Sequence, residues 1–129
     1  MNKSHRLLLI DDSQEILVAL AKFFQKKNYD VVTASDGLNG LKLIKDDEGG
    51  FDLVITDIVM PDISGVGIIK ILKQKYPKTP VVAITGWGPQ PQALAVEAHA
   101  DYVLEKPFDI KELERLVLSL LTTRVATKQ

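Results

Sequence analysis

FDLVITDIVMPDISG, residues 51–65, carries an apolar run into an acid, Asp57, and then resumes as Ile58-Val59-Met60 before a proline. The four residues ahead of the acid, LVIT (53–56), form a short and almost continuously apolar run, which is how a strand buried on both faces reads. Aspartate bonds readily to nearby backbone and is favoured where strands end. A turn-forming role for Asp57 therefore stands beside a chemical one, and the rest of the chain has to decide between them.

Four further runs of the same kind recur at fairly even spacing: LLLI (7–10), VVTA (31–34), VVAIT (81–85) and YVLE (102–105). Helical patterns separate them. Ile16, Leu17, Leu20 and Phe24 share one face before Asn28, and Leu38, Leu41 and Ile44 do so after Ser35-Asp36. Ser64 is placed to cap a third helix bearing Ile68, Ile69, Leu72 and Tyr76, which the prolines at 77 and 80 terminate. A fourth helix within 92–98 has little apolar face and is expected to be short or mobile. The last helix opens with Asp109 and Glu112 in capping-box spacing and continues through Leu113, Leu116, Val117, Leu120 and Leu121. The polar tail that follows, TTRVATKQ, carries no periodic pattern and reads as a fraying end or a linker stub. The domain is accordingly expected over 1–123 and the tail over 124–129.

Strand and helix thus alternate five times, which predicts an open α/β fold: a parallel sheet with helices on both faces. The 129 residues, 46% hydrophobic and 26% charged, suffice for one domain with a real core. Sixteen basic against seventeen acidic residues leave a formal charge of −1, without the basic excess that nucleic acid or an anionic membrane surface would select. The absence of cysteine excludes disulfides, thiolate metal sites and cysteine nucleophiles. Only four apolar residues, Leu7 to Ile10, lie between Arg6 and Asp11, too short a run for a signal peptide or a membrane span. A soluble cytoplasmic protein is expected.

In a parallel sheet the carboxyl ends of all strands share one edge, and ligands of open α/β sheets bind there. Asp11 and Asp12 follow the first strand, Asp57 the third, Thr85 and Gly86 the fourth, and Lys106 and Pro107 the fifth. Topology alone brings three carboxylates, a hydroxyl and an ammonium together, so Asp57 belongs to a cluster. Carboxylates ~4 Å apart repel by about 4 kcal/mol per pair at an effective dielectric near 20. A divalent cation relieves this, and an all-oxygen donor set with room for water and phosphate favours Mg²⁺ over Ca²⁺, with Mn²⁺ a possible substitute. Three aspartates, one lysine and a divalent ion cancel in charge. Such a site can hold a phosphoryl group with Asp57 as nucleophile, Lys106 and the metal neutralising its oxygens, Thr85 donating a hydrogen bond, and Gly86 letting the backbone approach.

The segments LLLIDD, DLVITDIVMPDISG, VVAITG and YVLEKPF, in that order and separation, resemble the receiver domain of two-component response regulators, over nearly the whole chain from about Leu7 to about Leu121. That resemblance implies a flavodoxin-like doubly wound (βα)5 sandwich with strand order 2-1-3-4-5. It implies that Asp57 is the phosphoacceptor, that Asp12, Asp57 and the Val59 carbonyl ligate Mg²⁺ directly, that Asp11 supports the metal through water, and that Thr85 and Lys106 hold the phosphoryl oxygens. A cis Lys106-Pro107 bond is expected as well. The donor would be a phosphohistidine on a sensor kinase or a phosphotransfer protein, the output a downstream effector domain or protein, and a phosphorylation-dependent dimer is possible within the family. The chain would then be a phosphoacceptor switch that promotes its own phosphorylation and dephosphorylation, not an enzyme. His5 and His99 are placed as bystanders.

Three features depart from the family pattern. Val103 occupies the position three before the lysine where the family has Tyr or Phe, and Tyr102 points to the opposite face. Trp87 lies between two glycines in the TGWGPQPQ loop, where it and Val59 could shield an acyl phosphate from water. His99 replaces a glycine before the fifth strand, which would strain a left-handed helix terminus. Taken singly, Asp12 could be only a helix cap, Thr85 a strand terminus and Lys106 a solvated charge. Two other functions stand beside the receiver reading: a Mg²⁺-dependent aspartyl phosphohydrolase, which would need a general acid where Val59 stands, and a binding module that is never phosphorylated.

Overall fold

The computed structural model describes residues 5–46, 50–60, 64–86, 93–96 and 98–127. Five strands and five helices alternate: β1 (Arg6–Ile10), α1 (Gln14–Lys26), β2 (Asp30–Ala34), α2 (Gly37–Asp46), β3 (Leu53–Asp57), α3 (Gly65–Lys75), β4 (Val81–Thr85), α4 (93–96), β5 (Tyr102–Glu105) and α5 (Ile110–Thr127). The sheet is parallel throughout, in the order β2-β1-β3-β4-β5. The parallel sheet is what the alternation predicted, and the flavodoxin-like strand order is what the resemblance implied. The order reverses between β1 and β3, and a crevice opens beyond their carboxyl ends.

The near-continuous apolar strands are explained by two cores. On β1, Leu8 and Ile10 face Ile44, Ile68, Ile69 and Leu72 of α2 and α3, with Ala95 and Ala98 of the α4 segment. Leu7 and Leu9 face Leu17, Leu20 and Phe24 of α1 and Leu113, Val117 and Leu121 of α5. Every residue of β3 and β4 is buried. Burying one such side chain fully contributes about 1.5–3 kcal/mol, so both faces of the central strands hold the sheet flat against its helices.

The helix termini follow local chemistry. The Ser64 side chain accepts from the Val66 N–H at 3.1 Å, the cap expected for α3. Asp109 accepts from the Lys111 N–H at 2.9 Å at the start of α5. α1 ends at Asn28 with φ 71°, where the Asn28 and Tyr29 N–H groups return to the Gln25 and Phe24 carbonyls. The α4 segment ends in the same way at His99, φ 73°, with N–H bonds from His99 to Val96 and from Ala100 to Ala95. The left-handed terminus anticipated at His99 is present without glycine. Of the segment expected to hold the fourth helix, 93–96 are helical, and its remaining extent lies outside the described residues.

Leu38 does not join Ile44 on the buried face of α2: it is 60% exposed, and Gly37 and Gly40 turn inward beside Ile44. The reason is close approach, because a Cβ on Gly40 would lie 2.6 Å from Ile10 Cδ1. The helix therefore rolls its glycine edge onto β1 and carries Leu38 outward. The segment after Leu121 continues α5 as far as Thr127.

Candidate functional site

The site is assembled by strand register. β1 pairs with β3 so that Ile10 lies opposite Thr56, which brings Asp11 level with Asp57. β4 places Ile84 opposite Asp57, with Thr85 one residue beyond, and β5 sets Glu105 opposite Thr85, so that Lys106 follows at the same edge. The Lys106 N–H donates to the Thr85 carbonyl at 2.8 Å, and the Lys106-Pro107 bond is cis as expected.

The carboxylates of Asp11, Asp12 and Asp57 converge, each offering an oxygen within 4.8 Å of the others. Asp11 and Asp57 are buried and Asp12 is exposed. Lys106 reaches both buried acids, with Nζ 3.5 Å from Asp11 Oδ2 and 3.4 Å from Asp57 Oδ2. Asp57 Oδ1 also accepts the Val59 N–H at 3.3 Å. Asp11 Oδ1 accepts the Ser13 N–H at 2.8 Å. Burial pushes the Asp11 carboxyl above its ordinary value, opposed by the Ser13 bond; the charges of Asp57 and Asp12 push it further up and Lys106 pulls it back.

Two buried polar atoms here have no hydrogen-bond partner: Asp11 Oδ2 and the Thr85 hydroxyl. At 3.5 Å the Lys106 ammonium meets Asp11 Oδ2 as a charge and not as a hydrogen-bond donor. Such orphans are costly unless something else meets them. Three converging carboxylates, one carrying an unmet buried lone pair and none accompanied by sulfur or imidazole, fit a hard divalent cation with oxygen ligands. An unpartnered hydroxyl at the same rim fits an anionic oxygen that would accept from it.

The α1 cap is Ser13, whose side chain accepts from the Ile16 N–H at 3.4 Å, so Asp12 is released from capping. Lys106 is not a free surface charge but a partly buried ion bound to two acids. Val59 exposes its side chain (62%) at the mouth of the site. Gly86 has open space where a Cβ would project, so its glycine answers no steric demand of the protein. With Ile16, Lys106, Pro107 and Phe108 it lines an open depression beside the acids. Val103 packs into the core facing α4, while Tyr102 is 45% exposed. Trp87, Pro89 and Pro91 lie outside the described residues. His5 packs its ring beside Tyr29 before β1, and His99 terminates α4; neither belongs to the acidic cluster.

One residue whose part was not foreseen is Gly65, which closes the FDLVITDIVMPDISG stretch. A Cβ there would overlap the Asp57 carbonyl oxygen, so only glycine lets the first turn of α3 abut the end of β3. Its signal was a glycine directly after a helix cap, where side chains are ordinarily free to project.

A family model described as the response regulator receiver domain matches residues 7–118. Among curated proteins, the chain is 32% identical over 118 residues to the transcriptional regulatory protein CpxR of Escherichia coli K12, covering 91% of this chain and 49% of that protein. It is 31% identical over 122 residues to the alkaline phosphatase synthesis transcriptional regulatory protein PhoP of Bacillus subtilis, covering 94% and 49%. The chain thus spans about half the length of the curated relatives it matches. Among solved structures, a receiver domain protein (CheY-like) of Methanospirillum hungatei superposes with TM-score 0.91 at 23% identity, covering 97% of this chain and 99% of that one; at that identity the likeness speaks for the fold alone. A receiver domain of Clostridium thermocellum superposes with TM-score 0.82 at 29% identity, covering 96% of each chain.

Proposed function

This chain belongs to the response regulator receiver domain family, and on that premise we propose that Asp57 accepts a phosphoryl group from a phosphohistidine in a Mg²⁺-dependent reaction that switches the domain's conformation. The observation that carries this reading is the convergence of three carboxylates, Lys106 and an unpartnered buried hydroxyl at one rim.

An oxygen of Asp57 forms a bond to phosphorus while the bond from phosphorus to the donor's imidazole nitrogen breaks. The electron pair leaves on that nitrogen, which takes up a proton from water. Val59 N–H and Lys106 hold the carboxylate on both of its oxygens, and the Thr85 hydroxyl donates to a phosphoryl oxygen. Asp12, Asp57 and the Val59 carbonyl would ligate Mg²⁺ with Asp11 in support; when bound, the ion supplies neutralising charge to the acids and to the phosphoryl oxygens. The acyl phosphate adds negative charge beside Thr85 and Lys106, the groups that carry the change to β4 and β5. With Val103 in place of an aromatic, two routes stand for the change: main-chain movement of the loop from Thr85 to Pro91, or a different use of the half-exposed Tyr102.

The donor is a sensor histidine kinase or a histidine phosphotransfer protein, and the signal leaves through an effector domain or protein, with a phosphorylation-dependent dimer as one output. The chain acts in the cytoplasm as a switch and not as an enzyme. Val59 offers an N–H and an exposed aliphatic side chain, not the acid a phosphohydrolase would need.

Incubation with Mg²⁺ and a small phosphodonor, followed by intact mass, tests the reading. The expected result is an adduct of about 80 Da that is absent in Asp57→Asn. Donor turnover without adduct would instead indicate a hydrolase, and neither adduct nor turnover a binding module.

A further inference from the structure

The side-chain tethers of Asp57 are long, 3.3 Å from the Val59 N–H and 3.4 Å from Lys106 Nζ. Its main chain is gripped more closely. The Thr56 hydroxyl donates to the Asp57 carbonyl at 3.0 Å. A Cβ on Gly65 would overlap that same carbonyl oxygen and lie 2.8 Å from Ile58 Cα. The next carbonyl, of Ile58, accepts the Gly65 N–H at 2.9 Å and the Ser64 hydroxyl at 3.5 Å, while the Ile58 N–H donates to Ile84 at 3.0 Å. The chain leaving β3 is therefore pressed between β4 and the first turn of α3, and the hydroxyl that caps α3 also reaches the exit of β3.

Thr56 is fully buried on the β3 face that packs toward α2 and α3. Valine would fill that space and suit the strand as well, and a buried hydroxyl is unfavourable unless it is bonded. Its hydrogen bond goes to the carbonyl of the nucleophile's own peptide. The Cα–Cβ direction of Asp57 follows from its peptide planes, so holding those planes aims the carboxylate. We propose that Thr56 and Gly65 are positioning residues which, with Ser64, clamp the main chain of Asp57 and fix the direction of its carboxylate. This rests on Asp57 being the phosphoacceptor, and neither residue touches the phosphoryl group.

The test compares wild type with Thr56→Val, Thr56→Ser and Gly65→Ala, using acetyl phosphate as donor at saturating Mg²⁺. Thr56→Val is expected to accept phosphoryl on the order of 10-fold more slowly, with Thr56→Ser within about two-fold of wild type, since small misplacements of a reacting group have large effects on rate. Thermal unfolding of Thr56→Val is expected to match wild type, which separates aiming from folding. Gly65→Ala is expected to be slower still; should it fail to fold, the two Thr56 variants decide the question. Thr56→Val reacting at the wild-type rate would overturn the clamp, as would Thr56→Ser being as slow as Thr56→Val. Should wild type take up no phosphoryl group, the phosphoacceptor reading fails separately. Calorimetric Mg²⁺ affinity then judges the clamp: weaker binding by Thr56→Val supports it, and equal binding overturns it.

Discussion

Replacing Lys106 with methionine removes the cation that neutralises two buried acids while keeping most of the stem's volume. Nζ lies 3.5 Å from Asp11 Oδ2 and 3.4 Å from Asp57 Oδ2, so each attraction amounts to about 4.8 kcal/mol at an effective dielectric of 20. The two acids, with oxygens within 4.8 Å, repel by at least about 3.5 kcal/mol on the same scale. These are gross terms. The ammonium regains hydration when the chain unfolds, and removing one partner of a buried pair typically costs about 3–5 kcal/mol. Because Lys106 is partly exposed, the expected loss in metal-free protein is about 2–4 kcal/mol at about pH 8.

The loss has a definite pH dependence. Burial raises the Asp11 carboxyl and Lys106 opposes that rise, so without the lysine the folded protein binds a proton at Asp11 more tightly still than the unfolded chain does, and stability falls as pH rises. Urea unfolding in EDTA should show a larger deficit at about pH 8 than at about pH 5, and Mg²⁺ should recover part of it at the higher pH. An equal deficit at both pH values, unmoved by Mg²⁺, would refute the electrostatic reasoning.

Further variants probe the neighbouring features. Asp11→Asn keeps an acceptor for the Ser13 N–H and discharges a carboxyl that burial has raised above 3.8. The metal-free wild type should lose stability as pH climbs from 3.8 through the folded-state value, whereas Asp11→Asn should lack that component and be the more stable at neutral pH, as urea midpoints across pH would report. At the opposite edge of the sheet, Lys73 Nζ bonds Asp101 at 2.7 Å and the Thr79 carbonyl at 2.9 Å, while Asp101 accepts the Val81 N–H at 2.7 Å; Lys73→Met should cost about 1–2 kcal/mol, discounted for exposure. On α2, Ile44→Ala should cost about 2–5 kcal/mol, while Leu38→Lys should change stability by less than about 0.5 kcal/mol, a contrast that differential scanning calorimetry would resolve.

Strands that need apolar partners on both faces, such as LVIT and VVAIT, are legible because burial on two sides leaves no polar position to confuse the pattern. The rim followed from them, since a parallel sheet sends Asp57, Thr85 and Lys106 to one edge whatever the loop details. Contacts made by the absence of a side chain were not legible. Gly40 against Ile10 turned α2 and exposed Leu38, and Gly65 against Asp57 set the approach of α3; periodicity counts apolar residues and is blind to close approach. The choice of cap between Asp12 and Ser13 was equally hidden, because both residues suit an N-cap and only the path of the chain after β1 selects Ser13. Helix α5 outlasts its apolar stripe because residues already hydrogen-bonded in register extend a helix at little cost.

Borohydride treatment after incubation with Mg²⁺ and phosphodonor reduces an acyl phosphate to an alcohol and leaves a permanent mark on the residue that carried it. Peptide mapping should find homoserine at position 57, dependent on Mg²⁺ and absent in Asp57→Asn. Homoserine at position 11 or 12 instead, or equal labelling in the presence of EDTA, would contradict the assignment of Asp57 as the acceptor in a metal-assisted cluster.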